Sequence, residues 1–161
     1  MTQTQNQENT QLLPAKNQDV MMLTAFSKWA FENDVQVGAP VLAGPPGYKS
    51  NQFYSQMNCA KYLYSFFADG IIIGGAVLIP GGNPKGSQVE IARIFLNREH
   101  FKKGYGLKLM QAAEGLFPDA KSFILDTPIW NTRTNSFYQK LGYIEYKRNE
   151  EFVFYRKDRE E

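Results

Sequence analysis

Two glycines between a predicted strand and a predicted helix constrain this chain more than any other feature. Val89–Leu96 is rich in β-branched and apolar residues and predicts a strand, whereas Gly104–Phe117 predicts a helix. Gly104 and Gly106 stand where the intervening loop turns into that helix. Glycines there let backbone N–H groups approach a ligand, and a helix N-terminus carries partial positive charge. The segment predicts a site for an anion such as phosphate, although a tight loop that only caps the helix has the same pattern.

Two kinds of phosphate ligand are compatible with this loop. The first is a dinucleotide in a nucleotide-binding fold. A second predicted strand ends near Asp126, which lies at the ~20-residue interval expected for the acidic residue of that fold. Two features speak against that fold: Leu109 stands at the third glycine position, and the loop between Leu96 and Gly104 is long. A long loop with several basic residues favours a ligand with several phosphates outside the strand end. These basic residues are Arg98, Lys102 and Lys103.

The rest of the chain predicts a mixture of strands and helices in one domain. Residues 1–10 are rich in Gln, Asn and Thr and are expected to be a disordered tail, so residues 11–161 form the expected domain. Val35–Pro46, with its glycines and prolines, is expected to be a loop. The other predicted strands are Gln11–Lys16, Lys61–Phe67, Ile71–Ile79, Lys121–Leu125, Tyr143–Arg148 and Glu151–Arg156, and the other predicted helices are Val20–Glu32, Ser50–Met57 and Asn131–Leu141.

Charge and composition exclude several classes of function. A net charge of +2 on 161 residues is too mild to predict binding to nucleic acid or to an anionic membrane. The longest apolar run, residues 71–80, is shorter than the ~20 residues that span a bilayer, and the polar N-terminus does not look like a signal peptide. A cytoplasmic location is therefore expected. One histidine and one cysteine give no cluster with metal-ligand spacing, so no metal is expected.

Two segments together resemble a known family. Glu90-Ile91, the strand through Leu96, and the run Phe101-Lys102-Lys103-Gly104-Tyr105-Gly106 followed by Leu107-Lys108-Leu109-Met110 resemble motif A of the GNAT superfamily, the Gcn5-related N-acetyltransferases. The run from Asn131 to Tyr143, with Phe137-Tyr138, Lys140 and Gly142-Tyr143, resembles motif B. The resemblance implies a bacterial-type single-domain member with a mixed α/β fold. Its centre would be a mostly antiparallel, twisted sheet of six to seven strands with a splayed parallel pair, flanked by about four helices.

The resemblance also implies acetyl-CoA as the cofactor and a set of residues that bind it. Backbone groups on the splayed strand would contact the pantetheine chain, and the loop and helix start would contact the phosphates. Phe101 departs from the family pattern, in which Arg or Gln usually stands at this position. The implied cofactor-binding residues are Ile94, Phe95, Leu96, Arg98, Phe101, Lys102, Lys103, Gly104, Tyr105, Gly106, Leu107, Asn131 and Tyr138.

Two residues are implied to take part in proton transfer. Tyr138 matches the family tyrosine that protonates the departing thiolate, with a core aromatic residue as the alternative. Glu90 matches the position of a catalytic glutamate in some members. The alternative is a strand-end carboxylate that faces solvent or pairs with Arg93. Asn131 has the alternative of capping the last helix. The implied activity is direct acetyl transfer, in a ternary complex, to a primary amine of a small molecule or peptide. A CoA-binding module without turnover and a dinucleotide-binding oxidoreductase remain alternatives, and a homodimer is compatible with the sequence.

Overall fold

The computed structural model describes residues 9–40 and 43–159, which contain one seven-stranded sheet. The strand order is β1-β2-β3-β4-β5-β7-β6, and every neighbouring pair is antiparallel except β4 and β5. The strands are β1 Thr10–Pro14, β2 Leu63–Ala68, β3 Ile71–Gly81, β4 Gln88–Leu96, β5 Ser122–Pro128, β6 Ile144–Arg148 and β7 Phe152–Asp158. The helices are α1 Val20–Glu32, α2 Asn51–Cys59, α3 Tyr105–Gly115 and α4 Thr132–Lys140. The predicted fold class is confirmed.

Element boundaries differ from the predicted ones in a few places. The segment predicted as a loop from Val35 begins inside a 3₁₀ helix, Asn33–Val37, while residues 41 and 42 lie outside the described residues. β5 runs three residues further than predicted because Asp126–Pro128 pair with β7, a long-range contact that their polar composition does not reveal. Of the predicted tail, residues 1–8 lie outside the described residues, and Thr10 already pairs with Ala68 of β2.

The sheet separates two apolar cores. On one face, α3 and α4 cover side chains from most of the sheet, and Leu109, Phe123 and Tyr155 are almost completely buried there. On the other face, α1 and α2 pack against β2, β3 and β4, with Leu23 and Tyr54 fully buried. The buried cluster on this second face includes no residue from β5, β6 or β7 among the described residues. The helices of the second face therefore cover only half of the sheet.

A β-bulge in β4 changes the direction of the strand next to its only parallel neighbour. Val77 of β3 pairs with Arg93, but the next residue, Leu78, pairs with Ile91, so Ala92 has no partner in the register. A bulge bends the strand that carries the extra residue. The parallel pairing of β4 with β5 ends at Glu90 and Ile124, immediately before this bulge. From there to their carboxyl ends the two strands are not paired with each other.

A close contact between backbones holds β3 against the bent part of β4. A Cβ atom built on Gly74 would overlap the carbonyl oxygen of Phe95. One built on the neighbouring Gly75 would lie 2.9 Å from the ring of Phe95 and 3.0 Å from Leu23. The Gly-Gly pair, which interrupts an otherwise β-branched strand, is thus required by packing on both faces.

We predict that Gly74→Ala lowers the free energy of unfolding by about 1–3 kcal/mol, because the added methyl group overlaps backbone that cannot move without breaking the β3–β4 pairing. Urea denaturation followed by circular dichroism measures the change. Gly115→Ala, at the end of α3, is the control, since a Cβ there meets nothing within 4 Å; it should leave the stability unchanged or raise it by up to about 1 kcal/mol. Equal midpoints for the two variants would contradict the prediction.

Candidate active site

The open edges of β4 and β5 form a cleft at the centre of the sheet. At their outer edges, β4 remains paired with β3 and β5 remains paired with β7. The N–H of Asn97 donates to the carbonyl of Ile73 on β3 over 2.7 Å. Because backbone polar groups alternate in direction along a strand, those of Ile94 and Leu96 point away from β3, towards β5. The cleft therefore has unpaired backbone donors and acceptors along one wall, as an extended ligand chain requires.

The glycine loop lies at the carboxyl end of this cleft. Gly104 adopts a left-handed conformation (φ +83°) immediately before α3, and no side chain caps the N-terminus of that helix. A Cβ on Gly104 would meet nothing within 4 Å, so the approach to the helix start is open. The basic side chains of the loop, Arg98, Lys102 and Lys103, belong to exposed residues. These features together suit an anion with several charges.

The second glycine of the loop has a packing role. A Cβ on Gly106 would lie 3.3 Å from the tip of the Phe137 ring on α4. Gly106 therefore lets the first turn of α3 approach α4 closely.

The Phe101 side chain packs between α1 and α4. Its ring packs edge-to-face against Trp29 of α1, with ring centroids 5.4 Å apart. The guanidinium of Arg133, in the first turn of α4, lies 4.8 Å from the centroid of the same ring. The Arg133 guanidinium also donates to Asp34 over 2.6 Å. Phe101 thus joins three elements around the mouth of the cleft, and its side chain offers nothing to a phosphate group.

Three other residues implied as cofactor ligands have side chains that are either buried in the protein or exposed on α3. Phe95 packs its side chain into the second core, and its backbone is directed towards β3, so it brings no polar group to the cleft. Tyr105 is buried, with its ring 5.6 Å from that of His100. Leu107 is exposed on α3. Tyr105 and Leu107 can offer their backbone N–H groups to an anion at the start of α3. Phe95 is a core residue.

Asn131 is the N-cap of α4. Its side chain accepts the N–H of Thr134 over 3.1 Å, and the residue is 1% exposed. It also hydrogen-bonds to Asp34 and thereby lowers the pKa of that carboxyl, although burial has the larger effect and raises this pKa overall. Asn131 therefore braces the start of α4 from inside the protein.

Tyr138 lies on α4 in the first core, among other aromatic rings. Its ring is 5.3 Å from Phe137, 6.0 Å from Tyr143 and 6.3 Å from Tyr155. Burial raises the pKa of the Tyr138 phenol far above its usual value; the charge of Arg133 opposes this shift, and nearby carboxylates add to it. The hydroxyl therefore keeps its proton at neutral pH and can act as a hydrogen-bond donor.

Glu90 lies at the point where the parallel pairing ends, on the face of β4 that carries α1 and α2. It is opposite Ile124, so Asp126, two residues further along β5, projects from the same face. Desolvation raises the pKa of the Glu90 carboxyl, and the charge of Asp126 raises it further; desolvation also raises the pKa of Asp126. Arg93 does not pair with Glu90, since it donates to the Tyr54 hydroxyl and the Pro46 carbonyl. The suggested Glu90–Arg93 pair is therefore wrong.

Asp126 and Arg133 are residues of this site that sequence reasoning missed, and the pairing of Asp34 with Arg133 was not foreseeable either. In the sequence Asp126 resembles only the acid of a nucleotide-binding fold, because its position beside Glu90 depends on the strand register. Asp34 and Arg133 are 99 positions apart, and no local pattern connects them. The dinucleotide alternative does not fit, because the sheet contains a single parallel pair among its described strands.

Comparisons with known proteins agree with this geometry. The model of the acetyltransferase (GNAT) family matches residues 23–143. Among solved structures, the PaiA N-acetyltransferase of Thermoplasma acidophilum in complex with coenzyme A has a TM-score of 0.74 at 17% identity, covering 94% of this chain and 99% of that one. A GNAT-family acetyltransferase of Streptococcus agalactiae 2603 has a TM-score of 0.81 at 16% identity, covering 94% and 96%.

Arabidopsis thaliana Naa50, in complex with the bisubstrate analogue CoA-Ac-MVNAL, has a TM-score of 0.61 at 15% identity, covering 92% of this chain and 98% of that one. At such identities the likeness concerns the fold. A search of curated protein sequences gave no significant match. The family model spans three quarters of the sequence, including the cleft, the glycine loop and α4. The chain belongs to the GNAT acetyltransferase family.

Proposed function

We propose that this protein is an N-acetyltransferase that transfers an acetyl group from acetyl-CoA directly to a primary amine in a ternary complex. The observation that carries the proposal is the cleft between β4 and β5. It opens at Glu90, has unpaired backbone along β4, and ends at the uncapped start of α3. Family membership supports the acetyltransferase class, and two of the solved structures compared above contain CoA or a CoA conjugate.

The described residues fit acetyl-CoA. Backbone groups of Ile94 and Leu96 would hold the pantetheine amides as an added strand does. The open approach at Gly104 and the basic residues around it would hold the phosphates. When bound, acetyl-CoA supplies an activated acetyl group on a thiol leaving group. No side chain of the described cleft has to be acetylated for transfer, so the proposal needs only an amine placed beside the cofactor.

Tyr138 is proposed to donate its hydroxyl proton towards the departing sulfur. A thiol has an ordinary pKa of roughly 8.5, so a thiolate that leaves at neutral pH gains from a nearby donor. The raised pKa of the buried phenol keeps it protonated but opposes full proton transfer, so the hydroxyl acts as a hydrogen-bond donor to the charge that develops on the sulfur. The packed rings around Tyr138 fix its direction, which a donor that acts on one atom requires.

Glu90 and Asp126 are proposed to receive the proton of the attacking amine. A primary amine with an ordinary pKa of ~10.4 is protonated at neutral pH and must lose a proton before it attacks. A carboxylate with a raised pKa is a better base for this purpose than an ordinary one. Neither carboxylate has a hydrogen bond or ion pair among the described residues, so a cationic amine can compensate both.

The acceptor side of the cleft is framed by the segment between α1 and α2. The Arg93 guanidinium lies 4.2 Å from the Phe53 ring centroid and holds the loop through the Pro46 carbonyl. A small-molecule amine and a peptide amine both suit an opening of this kind. A CoA-binding module without turnover is the second candidate function, favoured by Phe101 at the position where the family usually has Arg or Gln.

The test of the proposed function is binding followed by turnover. At about 100 times its Kd, acetyl-CoA should raise the free energy of unfolding by about 2.7 kcal/mol, whereas NAD and ATP should not. A panel of small amines and N-terminal peptides, followed by thiol release, then identifies the acceptor class. No stabilisation by acetyl-CoA would refute the proposal, and stabilisation without thiol release from any amine would favour the binding module.

We predict that Tyr138→Phe lowers kcat by about 100-fold or more with little change in the KM for acetyl-CoA, because the ring still packs while the proton donor is lost. Thiol release with an amine from the panel measures both constants. Tyr143→Phe is the matched control, since it removes a neighbouring hydroxyl that bonds to Glu114 over 2.8 Å. Full turnover of the Tyr138 variant would remove the donor role.

We predict that the rate falls at low pH as Glu90 becomes protonated, and that Asp126→Asn moves this fall to lower pH. The neighbouring charge of Asp126 raises the pKa of Glu90, so its removal lowers that pKa and extends the active range downward. The pH profile of kcat/KM measures the shift. Glu150→Gln, which changes an exposed carboxylate in the turn before β7, should leave the profile unchanged. Glu90→Gln with an intact acidic limb would show that another group is the base.

A further inference from the structure

We propose that Arg133 binds the phosphate groups of the cofactor and supplies, from α4, the cation that Phe101 does not supply from the loop. This inference rests on the proposed function, because it names a ligand for the phosphate end of the same site. The guanidinium of Arg133 lies 4.8 Å from the centroid of the Phe101 ring. The positive charge is therefore next to the loop position that holds an aromatic ring, although it comes from another element.

Arg133 lies in the first turn of α4, next to Phe101 of the loop that precedes α3. Phe137, one helical turn later and on the same face of α4, contacts Gly106 in the first turn of α3. Arg133 is thus one turn before the residue of α4 that contacts α3. It lies at the carboxyl end of the cleft, because Phe101 follows β4 and Arg133 follows β5 in the chain.

The geometry of the guanidinium leaves donors available. In the described residues Arg133 donates through one terminal nitrogen to Asp34, over 2.6 Å, and its side chain is 32% exposed. A guanidinium has five N–H donors in one plane, so this bond and the stacking on Phe101 leave other N–H groups in the plane for a second partner. Phosphate oxygens match such a planar pair of donors.

Preorganisation distinguishes Arg133 from the other cations near the loop. Lys102, Lys103 and Arg98 are exposed, so each loses side-chain entropy when it holds a ligand. Arg133 is already fixed by Asp34, which is buried, and by the Phe101 ring. Its contact with phosphate therefore costs less ordering than a contact from the loop lysines. Asp34 acts as a positioning residue for the cation and does not touch the ligand.

Binding of CoA, measured by isothermal titration calorimetry at low and at high salt, tests the proposal. At low salt Arg133→Met should weaken binding about tenfold, which corresponds to about 1.4 kcal/mol. At high salt the difference should shrink, because screening weakens a contact between charges. Arg148→Met is the matched control: it removes an exposed arginine that is also paired with a carboxylate, Glu145, and it should bind CoA like the unaltered protein.

A second pair of variants separates the cation from the ion pair. Loss of Arg133 leaves Asp34 buried without its partner, which destabilises the fold, so the double variant with Asp34→Asn and Arg133→Met is also measured. It should bind CoA as weakly as Arg133→Met, whereas Asp34→Asn alone, which keeps the cation, should retain at least half of the original affinity. Unaltered affinity in the double variant would overturn the proposal. So would an equal loss in Asp34→Asn alone, or a loss in Arg133→Met that is the same at both salt concentrations.

Failure of this inference is distinguishable from failure of the proposed function. If the unaltered protein does not bind CoA at all, the proposed function is refuted. If the unaltered protein binds CoA and the Arg133 variants bind it equally well, the acetyltransferase proposal stands and only the role of Arg133 is lost.

Discussion

The end of the β4–β5 pairing at Glu90 and Ile124 is the constraint on which the rest of the structure depends. The extra residue at Ala92 bends β4 just where its parallel neighbour would otherwise continue the ladder. Unpaired backbone is costly in a buried sheet, so an opening at its centre must be supported from outside. β3 and β7 provide this support, because they hold the outer edges of the two strands along the whole opening.

The opening connects two faces of the sheet that carry different chemistry. Tyr138 belongs to the core under α3 and α4, whereas Glu90 and Asp126 project from the opposite face. Under the proposed function, the hydrogen-bond donor for the leaving thiolate lies on one face and the acceptors of the amine proton lie on the other. The sheet itself then separates the two proton transfers, and each group keeps the environment that sets its pKa.

Sequence patterns predict most of the elements and the position of the glycine loop. The alternation in β4 and the helical spacing in α4 are local, and a chain of this length has few ways to arrange them. The details of the site depend on the register between neighbouring strands, and a single extra residue, Ala92, changes the register of β4 with β3. The extra residue at Ala92 places Arg93 on the same face of β4 as Glu90, where its side chain reaches Tyr54 of α2 instead of Glu90. Asp126 lies beside Glu90 only because Glu90 pairs with Ile124. No pattern in either strand specifies that pairing.

The charges that the fold leaves poorly compensated all lie around the cleft. Asp34 is buried, and its pairing with Arg133 does not fully offset the loss of hydration, since its pKa remains raised. Glu90 is half-buried without an ionic partner in the described part of the chain, and the exposed Asp126 lies beside it; the pKa of both is raised, by desolvation first. An apolar pair in place of Asp34 and Arg133 would stabilise the fold at least as well. Three carboxylates in one region therefore contribute little to stability, and under the proposed function they would offer negative charge to a cationic amine.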